Sequence, residues 1–114
     1  MTATTGQPLE ALALANQVRL ARASLRREVG ALAADEGRER LAGLLDVPAW
    51  RTDGPAATAT VVSVLTWPAL VGPVRARRLV RRLGISDSRL VRDLTGRQAA
   101  QVAAHLRAER GGRW

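Results

Sequence analysis

The residues of this chain whose type and spacing can do chemistry are its arginines. All 18 basic residues are arginine. Residues 1–69 carry seven of them against seven acids and are neutral overall. Residues 70–114 carry the other eleven against Asp87, Asp93 and Glu109, so this segment holds the whole net charge of +8. A guanidinium stays charged at physiological pH and offers a planar fork of donors that matches a phosphate. A cluster of them on one segment is the electrostatic footprint of a surface that meets a polyanion. A GC-rich coding sequence explains arginine in place of lysine, and solvation explains single surface charges. Neither explains the crowding at one end.

Other chemistries find little material. His105 has no second histidine and no cysteine to join it in a metal site. Asp35, Glu36 and Glu39 cluster at an expected helix start, where carboxylates complement the helix dipole. No phosphate-cradling Walker pattern and no GxSxG elbow occurs. The expectation is a protein that is not an enzyme and carries no cofactor or metal. Cysteine is absent, so no disulfide braces the fold. No run of about 18 apolar residues is present, and the first residues lack the pattern of a signal peptide. These features predict a cytoplasmic protein with no membrane partner.

The elements that must position the arginines follow from hydrophobic spacing. Apolar residues make up 46% of the chain, yet Phe and Tyr are missing and the aromatics are Trp50, Trp67 and Trp114. A core of Ala, Leu and Val favours closely packed helices. The expected fold is all-α: a disordered stretch at 1–7, a long first helix over 8–34 opened by Pro8, a helical domain over 35–110 and a disordered tail at 111–114. Leu14, Val18, Ala21, Leu25, Val29 and Leu32 recur on one face of the first helix. Arg19, Arg22 and Arg26 run beside them, as a solvated edge or as a second phosphate-binding surface. Asp35 is the expected N-cap of a helix to Leu45 that buries Leu41, Leu44 and Leu45. Residues 46–59 have the composition of a loop, with Trp50 as a plug over the core.

Residues 60–67 are β-branched, but no partner strand is evident, so a short buried helix is expected there. Pro68 and Gly72 then mark a turn, and Pro73 opens a helix that buries Ala76, Leu79, Val80 and Leu83. Gly84 closes it, Ile85 packs back on the core, and "SDSR" begins a turn through Val91 and Leu94. Thr95 and Gln98 form a capping box for a last helix with Ala99, Val102, Ala103 and Leu106 inward. The turn at Gly72 to Val74 precedes a helix N-terminus, where free N–H groups favour an anion. Arg75 adds a charge-assisted bond there. Arg77, Arg78, Arg81 and Arg82 cover most of the remaining surface of that helix. Arg89 and Arg92, three apart, face the same way if their turn is helical.

This segment resembles the actinobacterial integration host factor family, whose helix–two-turn–helix element is shared with a ribosomal small-subunit protein. The runs "WPALVGPVRA", "RRLVRRLGI" and "SRLVRDL" carry the resemblance through Pro68, Gly72, Val74, Arg75, Ala76, Leu83, Gly84, Ile85, Arg89, Val91, Arg92 and Leu94. It is firm over residues 64–106 and looser back to about residue 9, where "RLARASLR" is similar to the family's first helix. The chain departs from the family at four points. Ala69-Leu70 stands where one glycine is usual, Pro73 where lysine is, Leu90 for an arginine and Asp93 for a glycine. Asp93 weakens phosphate binding, and the extra arginines at 77, 78, 81 and 82 compensate.

The resemblance implies a helix–two-turn–helix at about 68–106 and Arg89 and Arg92 as contacts to duplex DNA. It further implies a monomeric nucleoid-associated protein that bends or compacts DNA and assists site-specific recombination, with a recombinase as a further partner. Phosphate contacts position without reading sequence. Six to ten of them make affinity fall by about three to five decades between 50 and 200 mM salt. Two other readings stay open. One is an RNA- or ribosome-associated protein, although no basic-aromatic stacking surface is present. The other is an interaction module for a recombinase or another acidic partner, which Leu90 and Asp93 favour.

Overall fold

A computed structural model of the chain describes the backbone of residues 2–108 and the side chains of residues 9–108. The helical periodicities resolve into α1 (Thr2–Ala31), α2 (Ala34–Leu45), α3 (Pro48–Asp53), α4 (Val61–Leu65), α5 (Pro73–Arg82) and α6 (Gly96–Ala108). A single 3-10 turn lies at Val91–Asp93. The described residues form no strand, only one antiparallel bridge between Thr60 and Leu90. The fold is all-α, with a long first helix followed by shorter ones packed around a common core.

α1 runs through Pro8 instead of starting on it, and ends at Ala31, three residues short of the expected boundary. Its apolar stripe is buried only near the C-terminal end. Val29 is fully buried and Leu25 packs against the core, whereas Leu14 and Val18 are exposed, as is Ala21. The expected burial of the whole stripe fails for a geometric reason. A 30-residue helix is about 45 Å long, and its residues 9–21 are all exposed, so the body covers only the C-terminal part of the stripe.

The expected cap at Asp35 is displaced by two residues. Ala33 is the N-cap of α2, without a side-chain bond, and Asp35 sits inside the first turn. Leu41 and Leu45 are buried and Leu44 half-buried. The expected loop at 46–59 contains a helix, α3, which Pro48 opens at its first position and Gly54 ends. Trp50 on α3 packs over the core as expected. α2 makes its main contact with α6, and Arg107 of α6 ties the pair by bridging Glu39 at 3.0 Å and Asp46 at 2.7 Å. The hydrogen bond to Asp46 raises the Arg107 pKa above its ordinary value.

The segment that carries the arginines is built as its spacing requires. Thr60 caps α4 by accepting a bond from the Ser63 N–H, and Val61, Val62, Val64 and Leu65 are buried. Pro73 is the first residue of α5; Ala76, Leu79 and Val80 are buried and Leu83 is half-buried against the core. Gly84 closes α5 at φ +72°. Its N–H bonds to Arg81 O at 3.1 Å and the Ile85 N–H to Val80 O at 2.8 Å, the paired bonds of a Schellman motif. Ile85 is buried behind it. Thr95 and Gln98 exchange two bonds of 3.1 Å as a capping box, and the inner face of α6 is Ala99, Val102, Ala103 and Leu106.

A Cβ at Gly84 meets open space, so only its left-handed backbone makes glycine preferable. Gly84→Ala is expected to destabilise the fold by about 1 kcal/mol, read from urea unfolding. An unchanged midpoint would show that the α5 terminus relaxes at no cost.

Candidate nucleic-acid interface

α5 divides its ten residues between two tasks. The Ala76, Leu79 and Val80 face, continued by the C-cap Leu83, binds the body, which leaves Val74, Arg77, Arg78, Arg81 and Arg82 on the outside. Val74, Arg77, Arg78 and Arg81 line one shallow, open recess. Arg77 and Arg82 make no hydrogen bond or ion pair among the described residues. Arg81 pairs with Asp87 at 3.3 Å, but both side chains are well exposed, so the pair is worth less than about 1 kcal/mol and yields readily to a phosphate.

At the start of α5, Gly72 is the N-cap in extended conformation, and a Cβ there would meet nothing within 4 Å. The helix N-terminus is thus open on that side. Arg75, expected to reach a phosphate, donates instead from Nη1 to Leu70 O at 2.8 Å and fastens the preceding turn.

The two arginines of the second turn separate in role. Arg89 precedes the 3-10 turn, is half-buried, and donates to Asp93 O at 3.2 Å. Its own carbonyl accepts from the Val61 N–H at 2.9 Å, so the residue knits its turn to α4. Arg92 lies within the 3-10 turn, exposed. They do not share one helical face, because the helical turn begins after Arg89. Arg97, in the first turn of α6, is exposed as well and was not singled out by sequence. Its place between the two residues of a capping box was the available signal.

On α1, Arg22 is committed to the body: Nε donates to Pro55 O at 2.9 Å and Nη2 to Thr58 Oγ1 at 2.7 Å. Arg19 bonds to Asn16 at 2.8 Å, and Arg26 is exposed. This stripe holds α1 to the 55–58 loop at one residue and leaves the other two at the surface.

Arg38 was not anticipated at all. It sits at the centre of the inner face of α2, only 4% exposed, and its Nε has no hydrogen-bond partner. Burying a guanidinium whose Nε has no partner is less favourable than burying a methionine of similar volume. Arg38→Met is expected to stabilise the protein by about 1–2 kcal/mol in thermal or urea unfolding. A loss of stability would show that the guanidinium is well solvated where it sits.

Among the described residues no three His, Asp or Glu side chains converge, and no helix is long and apolar enough to cross a membrane. Comparison with protein-family models, with curated proteins and with solved structures returned no match.

Proposed function

We propose that this chain binds duplex DNA without catalysing a reaction, through phosphate contacts made by the outer face of α5. One observation supports this best. The helix turns a continuous basic surface outward, with Arg77, Arg78, Arg81 and Arg82 around Val74, in the segment that holds the whole net charge. Arg92 and Arg97 are exposed further along the same charged segment. Such a surface neutralises backbone charge, and contacts to phosphate do not read bases, so binding through them is largely indifferent to sequence. With the resemblance to the integration host factor family, this reading extends to a cytoplasmic, nucleoid-associated protein that bends or compacts DNA and assists recombination.

The test is a competition. A labelled 24-base-pair duplex bound at 100 mM salt is challenged with the same duplex and with a structured RNA of equal length. The proposal expects the duplex to compete at least as well as the RNA. A preference of about tenfold or more for RNA would replace it with the ribosome-associated reading. Because Arg89 serves its own turn while Arg92 stands free in solvent, Arg92→Gln is expected to weaken duplex binding about fivefold to tenfold with the fold intact.

A further inference from the structure

Leu70 lies in the turn that leads into α5, and two features of it have no return within the fold. Its φ is +69°, the one left-handed non-glycine backbone among the described residues. A side chain there is strained where glycine would not be. Leu70 is also 78% exposed, more than any other large apolar residue described. Strain and apolar exposure at a single residue are the mark of a position kept for an external contact.

The residue is nonetheless rigidly mounted. Trp67, Pro68 and Val71 are buried around it, and the Val71 N–H turns back to Pro68 O at 3.4 Å. Arg75 Nη1 holds the Leu70 carbonyl at 2.8 Å, which fixes the turn to the first turn of α5. In that first turn, Val74 is 65% exposed and lines the recess together with Arg77, Arg78 and Arg81. No acid occurs between Asp53 and Asp87.

We infer that Leu70 is a wedge that enters the stack of a DNA duplex and kinks it, with Val74 against the groove edge and the α5 arginines on the flanking phosphates. The inference rests on the duplex-binding reading above. Its occupant is argued from charge and size together. A polyanion satisfies the arginines, and of polyanions the duplex hides a stacked apolar interior behind its phosphates, which apolar side chains open by unstacking one base step. A single leucine and valine offer too little apolar area for firm insertion in a lipid surface.

The experiment uses the full chain with a 30-base-pair duplex carrying a donor and an acceptor at its ends, intact or nicked at the centre. Wild type is expected to bring the ends together and to bind the nicked duplex about tenfold more tightly, since the nick has already relieved the stacking. Leu70→Gly, which also relaxes the backbone, is expected to bind both duplexes equally and to leave the end-to-end distance unchanged. Leu70→Met restores the kink. Bending by Leu70→Gly equal to wild type overturns the wedge, as does binding by wild type without bending; both leave duplex binding standing. Failure of wild type to bind any duplex removes both readings. Leu70-dependent binding to anionic vesicles with no kinking would reassign the residue to a lipid surface.

Discussion

Replacing Arg77, Arg78, Arg81 and Arg82 together by glutamine is expected to lower affinity for a 24-base-pair duplex at 100 mM salt by about a hundredfold to a thousandfold. Each arginine seated on a phosphate releases close to one condensed counterion, which at that salt is worth about one decade in the binding constant. Two to three such contacts therefore account for the loss. The slope of log affinity against log salt is expected to become shallower by about three. Glutamine keeps the length and polarity of the side chain, and the substituted face of α5 looks into solvent, so unfolding should move by less than about 0.5 kcal/mol for each site. A fourfold variant that unfolds normally and binds as wild type does would show that the ridge is solvated charge and nothing more.

The opposite face of the same helix yields the largest expected effect on stability. Leu79 is almost completely buried in the cluster formed with Val61, Val64, Leu65 and Val91. Leu79→Ala removes its transfer free energy and leaves a cavity, with an expected loss of about 3 kcal/mol. In a domain this small that is a substantial fraction of the total, and the melting temperature should fall by about 10–20 °C. Below the transition the arginines still face outward, so the salt slope of duplex binding should match wild type. The two variants thus separate what holds α5 from what α5 offers. A drop in melting temperature under about 3 °C would mean that neighbouring side chains close the gap.

How much of this was legible in the sequence depended on whether the signal was local. The α5 face, the Gly84 terminus, the Thr95–Gln98 capping box and the inner face of α6 each follow from residues three or four apart, and each is found in the structure. The failures have tertiary causes. Leu14 and Val18 share a periodic stripe with Val29, and nothing in that stripe tells where the body of the protein ends. Residues 48–53 read as loop because two prolines and a glycine bracket a helix too short to show a period. Arg38 falls on the buried face of α2 because that face is defined by what α6 and α1 bring to it.

The site was read with the same limits. The outer arginines of α5 were identified by subtraction from its apolar face. Roles that depend on distant acceptors were not visible: Arg22 reaches the 55–58 loop, and Arg75 and Arg89 turn to carbonyls of their own turns. Those three arginines now belong to the scaffold, while Arg77, Arg78, Arg81, Arg82, Arg92 and Arg97 carry the exposed charge of the segment. The strained leucine was visible only as an extra residue in a turn, because a backbone angle leaves no mark on composition.

The central claim, that this surface binds duplex DNA through its phosphates, is tested most directly by anisotropy titration of the wild-type chain against a 24-base-pair duplex across a salt series. About five phosphate contacts predict submicromolar binding at 50 mM salt and a several-hundredfold loss by 200 mM. Micromolar or weaker binding at 50 mM, or affinity that changes less than about fivefold across that range, would contradict it.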